Sequence, residues 1–256
     1  MRAAPPPPAA PAAGRAVTTT VDARTAAADA RISLTGALRD GRPWTGPGTA
    51  DLHWLRYANT TEGTAVGYVF LDTPKVRVTL DQVTRSRRVV RTANPDTQVT
   101  RSVLGVTVDG AAGARPARLA YALVPNAGEA ELHAHRRGPI GILANSGRLQ
   151  AVTHTGLGLT AANAFTRGRH RAGDLLLHGP ASVLVQRGGR RGGAVRVAVS
   201  DPTMDRDTVT VLLRGRPLRR TAGDPQVRVD RAPGGTRIEV DTHHAYGRSF
   251  TVTLSE

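Results

Sequence analysis

Apolar and polar residues alternate along most of this chain with a period of two, the spacing that sends successive side chains to opposite faces of a strand. In Lys75 to Leu80, Val76, Val78 and Leu80 share one face while Lys75, Arg77 and Thr79 share the other. The alternation recurs in Leu104/Val106/Val108, Leu119/Tyr121/Leu123, Val183/Val185, Val195/Val197/Val199, Val209/Val211/Leu213, Val227/Val229, Ile238/Val240 and Phe250/Val252/Leu254. Each predicts a strand with one face on a core and one toward solvent. Turn-forming segments fall between them, at Asn94-Pro95-Asp96, Gly188 to Gly193, Asp201-Pro202 and Pro233-Gly234-Gly235. No segment holds a 3.6-residue period with caps over three turns. Ala23 to Arg31 has the alanine content of a short helix but lacks an apolar stripe. The pattern predicts an all-β protein built as an antiparallel β-sandwich.

The pattern breaks near Arg136-Arg137-Gly138-Pro139, and a new apolar run starts at Ile140. This predicts two modules, 17–137 and 138–256. Residues 1–16 are rich in Pro and Ala and are expected to form an extended or disordered tail. Pro5 to Pro8 interrupt the apolar helical stretch a signal peptide needs, so no export signal is expected on the chain as written. Nothing approaches the roughly eighteen consecutive apolar residues of a membrane-spanning helix, and no membrane partner is expected.

Composition narrows the chemistry. The 256 residues include no cysteine, which excludes disulfides, thiolate metal sites and thiol catalysis. Lysine and arginine number 35 against 20 acidic residues, a formal charge of +15, and Lys75 is the only lysine. Arginine usage of this kind reads first as codon bias in a GC-rich genome. Its functional reading is a polyanionic partner, namely nucleic acid, acidic polysaccharide or an anionic surface.

The candidate sites are few. His133 and His135 would share a face of a strand and offer two metal ligands, with Glu129 and Glu131 upstream, but a third ligand at a useful spacing is missing. They read better as surface histidines. His243 and His244 would point to opposite faces if extended, and His154 and His170 stand alone. Ser200 precedes Asp201-Pro202, a turn signal rather than a nucleophile context. Gly188 to Gly193 lies between strands, so it reads as a hairpin tip and not as a phosphate cradle at a helix start. Arginines cluster at Arg85 to Arg88, Arg136-Arg137, Arg167 to Arg171 and Arg214 to Arg220, where they would line a polyanion surface. Aromatics do not interleave them, so any nucleic-acid binding is expected to be non-specific. No catalytic residue, metal or cofactor is predicted.

Several segments resemble polysaccharide lyase family 8, the hyaluronate, chondroitin AC and xanthan lyases. Val17 to Arg24 (VTTTVDAR) is similar to the family's TTV-x-x-R strand, and Trp54 to Phe70 to its Trp segment followed by Gly-Tyr-x-Phe. Thr100-Arg101-Ser102 with Leu119 to Asn126 (LAYALVPN) resembles its TRS and YAY-x-L-x-PN run. Ile142 to Val152 (ILANSGRLQAV) and Val199 to Thr203 (VSDPT) resemble strands of its C-terminal β-domain. The matches fall in order along the chain.

The resemblance implies part of a central antiparallel super-sandwich followed by a smaller C-terminal β-sandwich, and an extracellular protein. It implies β-elimination at a uronic acid, in which the C5 proton leaves and the bond at C4 breaks. Such a site needs a neutraliser for the carboxylate, a base, and an acid for the leaving oxygen. The family supplies these as Asn, His, Tyr and Arg from a helical domain to which nothing in this sequence corresponds. No catalytic role passes to Tyr57, Tyr68, Tyr121 or Tyr246, and Trp54, Tyr68 and Phe70 read as core. The chain alone is therefore expected to be inactive: a C-terminal β fragment, structural or weakly and salt-sensitively bound to acidic polysaccharide. Alternatively it is half of a split lyase completed by a helical partner chain, or a non-specific polyanion binder. A missing part of the first sandwich is also expected to leave Val76/Val78/Leu80 and Leu104/Val106/Val108 partly uncovered and the first module the less stable.

Overall fold

A computed structural model describes residues 17–73, 75–110, 118–189 and 193–256. The predicted tail at 1–16 lies outside them. The chain divides into two compact units, Met1–Arg136 and Arg137–Glu256.

Unit 1 contains β1 (Val17–Ala27), β2 (Ile32–Leu38), β3 (Pro43–Thr45), β4 (Gly48–Ala50), β5 (Leu52–Asn59), β6 (Thr64–Asp72), β7 (Val76–Ser86), β8 (Gln98–Gly110), β9 (Ala120–Pro125) and the short helix α1 (Glu129–Ala134). They form an antiparallel four-stranded sheet, β1-β8-β7-β4, and a five-stranded sheet, β3-β2-β5-β6-β9. One core lies between them. Val21, Val76, Val78, Leu104, Val106 and Val108 come from the first sheet, and Leu34, Leu52, Leu55, Tyr57, Tyr68 and Phe70 from the second. Full burial of each large side chain contributes about 1.5–3 kcal/mol. The register slips between Ala37 and Leu38 opposite β5, so that Leu52 faces this core while Trp54 faces the other way. There Trp54, Ala37 and Val69 pack under Leu132 of α1.

Two readings of the sequence change. Ala23 to Ala27 continue β1 instead of starting a helix, because Arg24 and Ala26 pair with β8. Val76, Val78, Leu104, Val106 and Val108 are buried, not uncovered, because β2, β5 and β6 supply the opposing sheet. The uncovered apolar residues lie instead on β9. Tyr121 pairs with Phe70 and Leu123 with Tyr68, which puts both on the core face, yet they are 36% and 47% exposed. β9 is the outermost strand of the larger sheet, and its core face extends past the cover of the smaller one.

Unit 2 contains β10 (Ile140–Asn145), β11 (Leu149–His154), β12 (Leu159–Ala164), β13 (Arg169–Ala172), β14 (Leu175–His178), β15 (Ala181–Arg187), β16 (Val195–Ser200), β17 (Thr208–Arg214), β18 (Arg219–Gly223), β19 (Val227–Ala232), β20 (Gly235–Asp241) and β21 (Phe250–Ser255). The sheets are β10-β11-β12-β15-β16-β21-β18 and β13-β14-β17-β20-β19. The alternating valines and leucines of β15, β16 and β21 meet those of β14, β17 and β20 in one continuous core. β15 and β16 pair as a hairpin, although residues 190–192 of its tip lie outside the described residues. The architecture is all-β, with two antiparallel sheets in each unit.

Candidate functional site

The two histidine pairs do not sit as an extended chain would place them. His133 belongs to α1 and His135 to the 3-10 turn after it, so they do not share a strand face. His133 meets the ring of Trp54 edge-on at 5.3 Å, and Nδ1 of His135 is buried. His243 and His244 are not extended either. His244 has φ 55°, and this left-handed turn brings the two rings to 3.9 Å. His170 is buried and its Nε2 lies 2.8 Å from the Thr166 carbonyl. Nδ1 of His154 accepts the Leu157 amide at 3.1 Å. Among the described residues no group of three or more His, Asp or Glu is placed to hold a metal ion.

In unit 1 the aromatic residues singled out above are core. Trp54, Tyr68 and Phe70 are each no more than 2% exposed. The Tyr68 phenol donates to Asp22 at 2.7 Å and accepts from Arg24 Nε at 3.0 Å. Burial first, then the hydrogen bond to Asp22, pushes the phenol well above its ordinary value of 10.0, with Arg24 opposing. A phenol held this way is a structural donor, the opposite of what a base requires.

Unit 2 brings together groups far apart in sequence. The β12–β13, β14–β15 and β16–β17 connections enclose an open cleft of about 560 Å³, lined by Arg167, Arg169, His178, Thr203, Asp205 and Arg206 among others. The Asp201-Pro202-Thr203 motif builds one wall. Asp201, 3% exposed, accepts from the Thr203 amide at 2.9 Å, the Thr203 hydroxyl at 2.6 Å and the Arg206 amide at 2.9 Å. Burial works to raise its pKa, and these bonds override it and hold the carboxyl below 3.8. Burial, then the charges of Arg169, Arg237 and Arg206, hold His178 below 6.5. The arginine run at Arg167 to Arg171 marks part of this cleft in the sequence. Arg206 and His178 carry no such mark, since only the fold places them beside it.

Residues 9–136 match the polysaccharide lyase family 8 super-sandwich domain, and residues 141–210 match that family's C-terminal beta-sandwich domain. Over 203 residues the chain is 27% identical to a xanthan lyase of Bacillus sp. (strain GL1), covering 78% of this chain and 22% of that protein. Over 177 residues it is 30% identical to a hyaluronate lyase of Thermasporomyces composti, covering 68% of this chain and 22% of the relative. The chain thus spans under a quarter of the length of these relatives. Among solved structures, a Paenibacillus xanthan lyase aligns with a TM-score of 0.79 at 21% identity, over 94% of this chain and 24% of that one. The Streptomyces coelicolor A3 chondroitin AC lyase in complex with chondroitin sulphate aligns with a TM-score of 0.72 at 24% identity, over 93% and 29%. At such identities the likeness to these structures is one of fold. The domain matches go further, since the super-sandwich match alone takes in half of the sequence: the chain belongs to polysaccharide lyase family 8.

Proposed function

We propose that this chain is the β portion of an enzyme that cleaves a uronic-acid-bearing polysaccharide by β-elimination. Its own part is to scaffold that enzyme and to hold the glycan, while the base, the acid and the carboxylate neutraliser come from a helical domain. The observation that carries this reading is the pair of consecutive domain matches, both to β domains, in a chain spanning 22% of its lyase relatives. The buried Tyr68–Asp22–Arg24 set supports it, because motif residues of unit 1 are spent on holding sheets together. A polymeric glycan substrate places the enzyme outside the cell.

The exposed core-face pair Tyr121 and Leu123 favours a version in which further polypeptide covers β9, in the same chain or in a partner. A strand edge with apolar residues on its core side invites such cover. The test mixes the purified chain with the helical domain of a family 8 lyase and follows the absorbance of the unsaturated uronide on hyaluronan and chondroitin. The mixture is expected to exceed the helical domain alone. Equal rates with and without the chain contradict the reading.

A further inference from the structure

The cleft of unit 2 carries positive charge that no ion pair among the described residues neutralises, and one of its arginines is fixed. Arg187, Arg216, Arg228, Arg237 and Arg248 are the arginines of this unit that form ion pairs, while Arg167, Arg169 and Arg206 have none among the described residues. Asp205 is the carboxylate on the lining, and it lies beside the Thr203 hydroxyl that Asp201 accepts. Arg206 is held at both ends. Its amide donates to Asp201, and its Nη1 donates to the Pro180 carbonyl at 2.6 Å. Its guanidinium lies over Gly179, where a Cβ would come to 3.2 Å from Nη1.

The 242–248 loop is tied to the same wall. Thr242 Oγ1 donates to the Arg206 carbonyl at 2.6 Å, and its amide donates to the Asp207 carbonyl at 2.9 Å. His243 Nδ1 lies 2.8 Å from Asp207 Oδ1, and a Cβ on Gly247 would touch Met204 at 3.5 Å. This loop presents Tyr246, 76% exposed, with the His244 ring stacked at 6.2 Å. His244 and Tyr246 have φ of 55° and 49°, a conformation that non-glycine residues seldom adopt. The backbone therefore holds a large ring out in water beside a wall that carries a fixed guanidinium.

We propose that this end of unit 2 binds a short segment of anionic glycan, with Arg167, Arg169 and Arg206 taking a carboxylate or sulfate and Tyr246 stacking on a neighbouring sugar ring. A guanidinium fork matches either planar anionic group, and an amphipathic tyrosine ring covers the apolar face of a pyranose. The ligand class rests on the acidic-polysaccharide reading above. The site itself lies in the C-terminal β-sandwich and uses residues with no part in the elimination chemistry.

The test titrates the full chain at low salt with hyaluronan and chondroitin sulphate oligosaccharides, neutral dextran, and single-stranded DNA of matched charge. Replacing both arginines (Arg167→Ala with Arg169→Ala) is expected to weaken glycan binding roughly tenfold or more, the loss of a charge-assisted hydrogen-bond pair. Tyr246→Ala is expected to weaken it severalfold and Tyr246→Phe to retain it. Removing two exposed arginines of unit 1 (Arg85→Ala with Arg87→Ala) should change it less than about twofold. An unchanged thermal transition in each variant shows that the fold is intact. Equal losses from the two double variants overturn the site in favour of diffuse charge, and leave the lyase reading standing. DNA binding as tight as glycan binding and indifferent to Tyr246→Ala overturns it in favour of a generic polyanion surface. No binding of either oligosaccharide above dextran overturns it outright, while the mixing assay decides the lyase reading separately.

Discussion

Tyr68 and Asp22 join the two sheets of unit 1: the phenol on β6 donates to the Asp22 carboxylate on β1 at 2.7 Å. Arg24 completes a triangle, donating from Nε to Asp22 at 2.7 Å and to Tyr68 at 3.0 Å. Among the described residues β1 pairs with β8 alone, so this polar contact adds to the hydrophobic core in fixing an edge strand. Asp22 and Arg24 come from VTTTVDAR and Tyr68 from the Gly-Tyr-x-Phe segment. Two stretches that carry the family resemblance therefore meet in space as one structural device.

Tyr68→Phe keeps the ring in the core and removes the hydroxyl that links Asp22 and Arg24. A hydrogen bond to a charged group is worth about 1.5–3 kcal/mol, so unit 1 should lose about that much. Chemical denaturation followed by tryptophan fluorescence reports it, since Trp44 and Trp54 both lie in unit 1. A change below about 0.5 kcal/mol would show that the triangle is not a restraint.

Asp201→Ala removes the acceptor for two amides and one hydroxyl on the 201–206 loop. Leaving those donors unmatched near a buried site should cost about 2 kcal/mol or more. It should also weaken glycan binding by loosening Arg206. Calorimetry and titration on one sample check both effects. Full stability with full binding would mean that the loop is held by something else.

Gly235→Ala tests the packing of unit 2. A Cβ there would sit 2.1 Å from the Leu213 carbonyl oxygen and 2.9 Å from Arg214 Cα, backbone that cannot step aside without breaking the β17–β20 register. Overpacking of this kind costs roughly 1–3 kcal/mol. Hydrogen exchange should speed up in β17 and β20 and stay unchanged in β5 and β6. Exchange unchanged in β17 would contradict the close approach.

Much of the fold is legible in the sequence because alternation is a local property of a strand with one buried face. Val195, Val197 and Val199 announce β16, and their burial at 5%, 1% and 1% is what the pattern implies. The pattern fails where tertiary context decides. Leu119/Tyr121/Leu123 alternate like any other strand, but whether a face is covered depends on how far the opposing sheet extends. His243 and His244 diverge only on an extended backbone, and a left-handed residue replaces that geometry. Arg167 and Arg169 stand out as a run, whereas Arg206 is one arginine in an arginine-rich chain. Its role comes from Asp201, Pro180 and Gly179, which no local pattern connects to it.

Stability should fall in acid, in two stages. Burial first, then Arg39, Arg136, His133 and His135, depress His53 below 6.5, and burial with Arg169, Arg237 and Arg206 depresses His178. The unfolded chain takes up these protons near pH 6.5 while the folded chain resists, so stability declines as pH drops from about 6.5 toward the folded values. Above that window the two histidines contribute nothing. Asp201 and Asp224, the latter held chiefly by the Thr251 amide, lie below 3.8. Their stabilisation is present above 3.8 and is lost as pH falls through the lower folded values. Thermal unfolding across pH 3 to 8 should show a plateau near neutrality and a decline that steepens below about pH 4. His53→Gln should flatten the earlier part. A maximum near pH 5, with stability lower at neutrality, would contradict the sign worked out for His53 and His178.

On the reading proposed, this chain holds an acidic glycan and leaves the elimination chemistry to other residues. The decisive measurement is the time course of unsaturated uronide formation on hyaluronan and chondroitin sulphate with the purified chain alone. The expected result is no increase above the uncatalysed background at any concentration of the chain. Sustained turnover that scales with the amount of chain would contradict it.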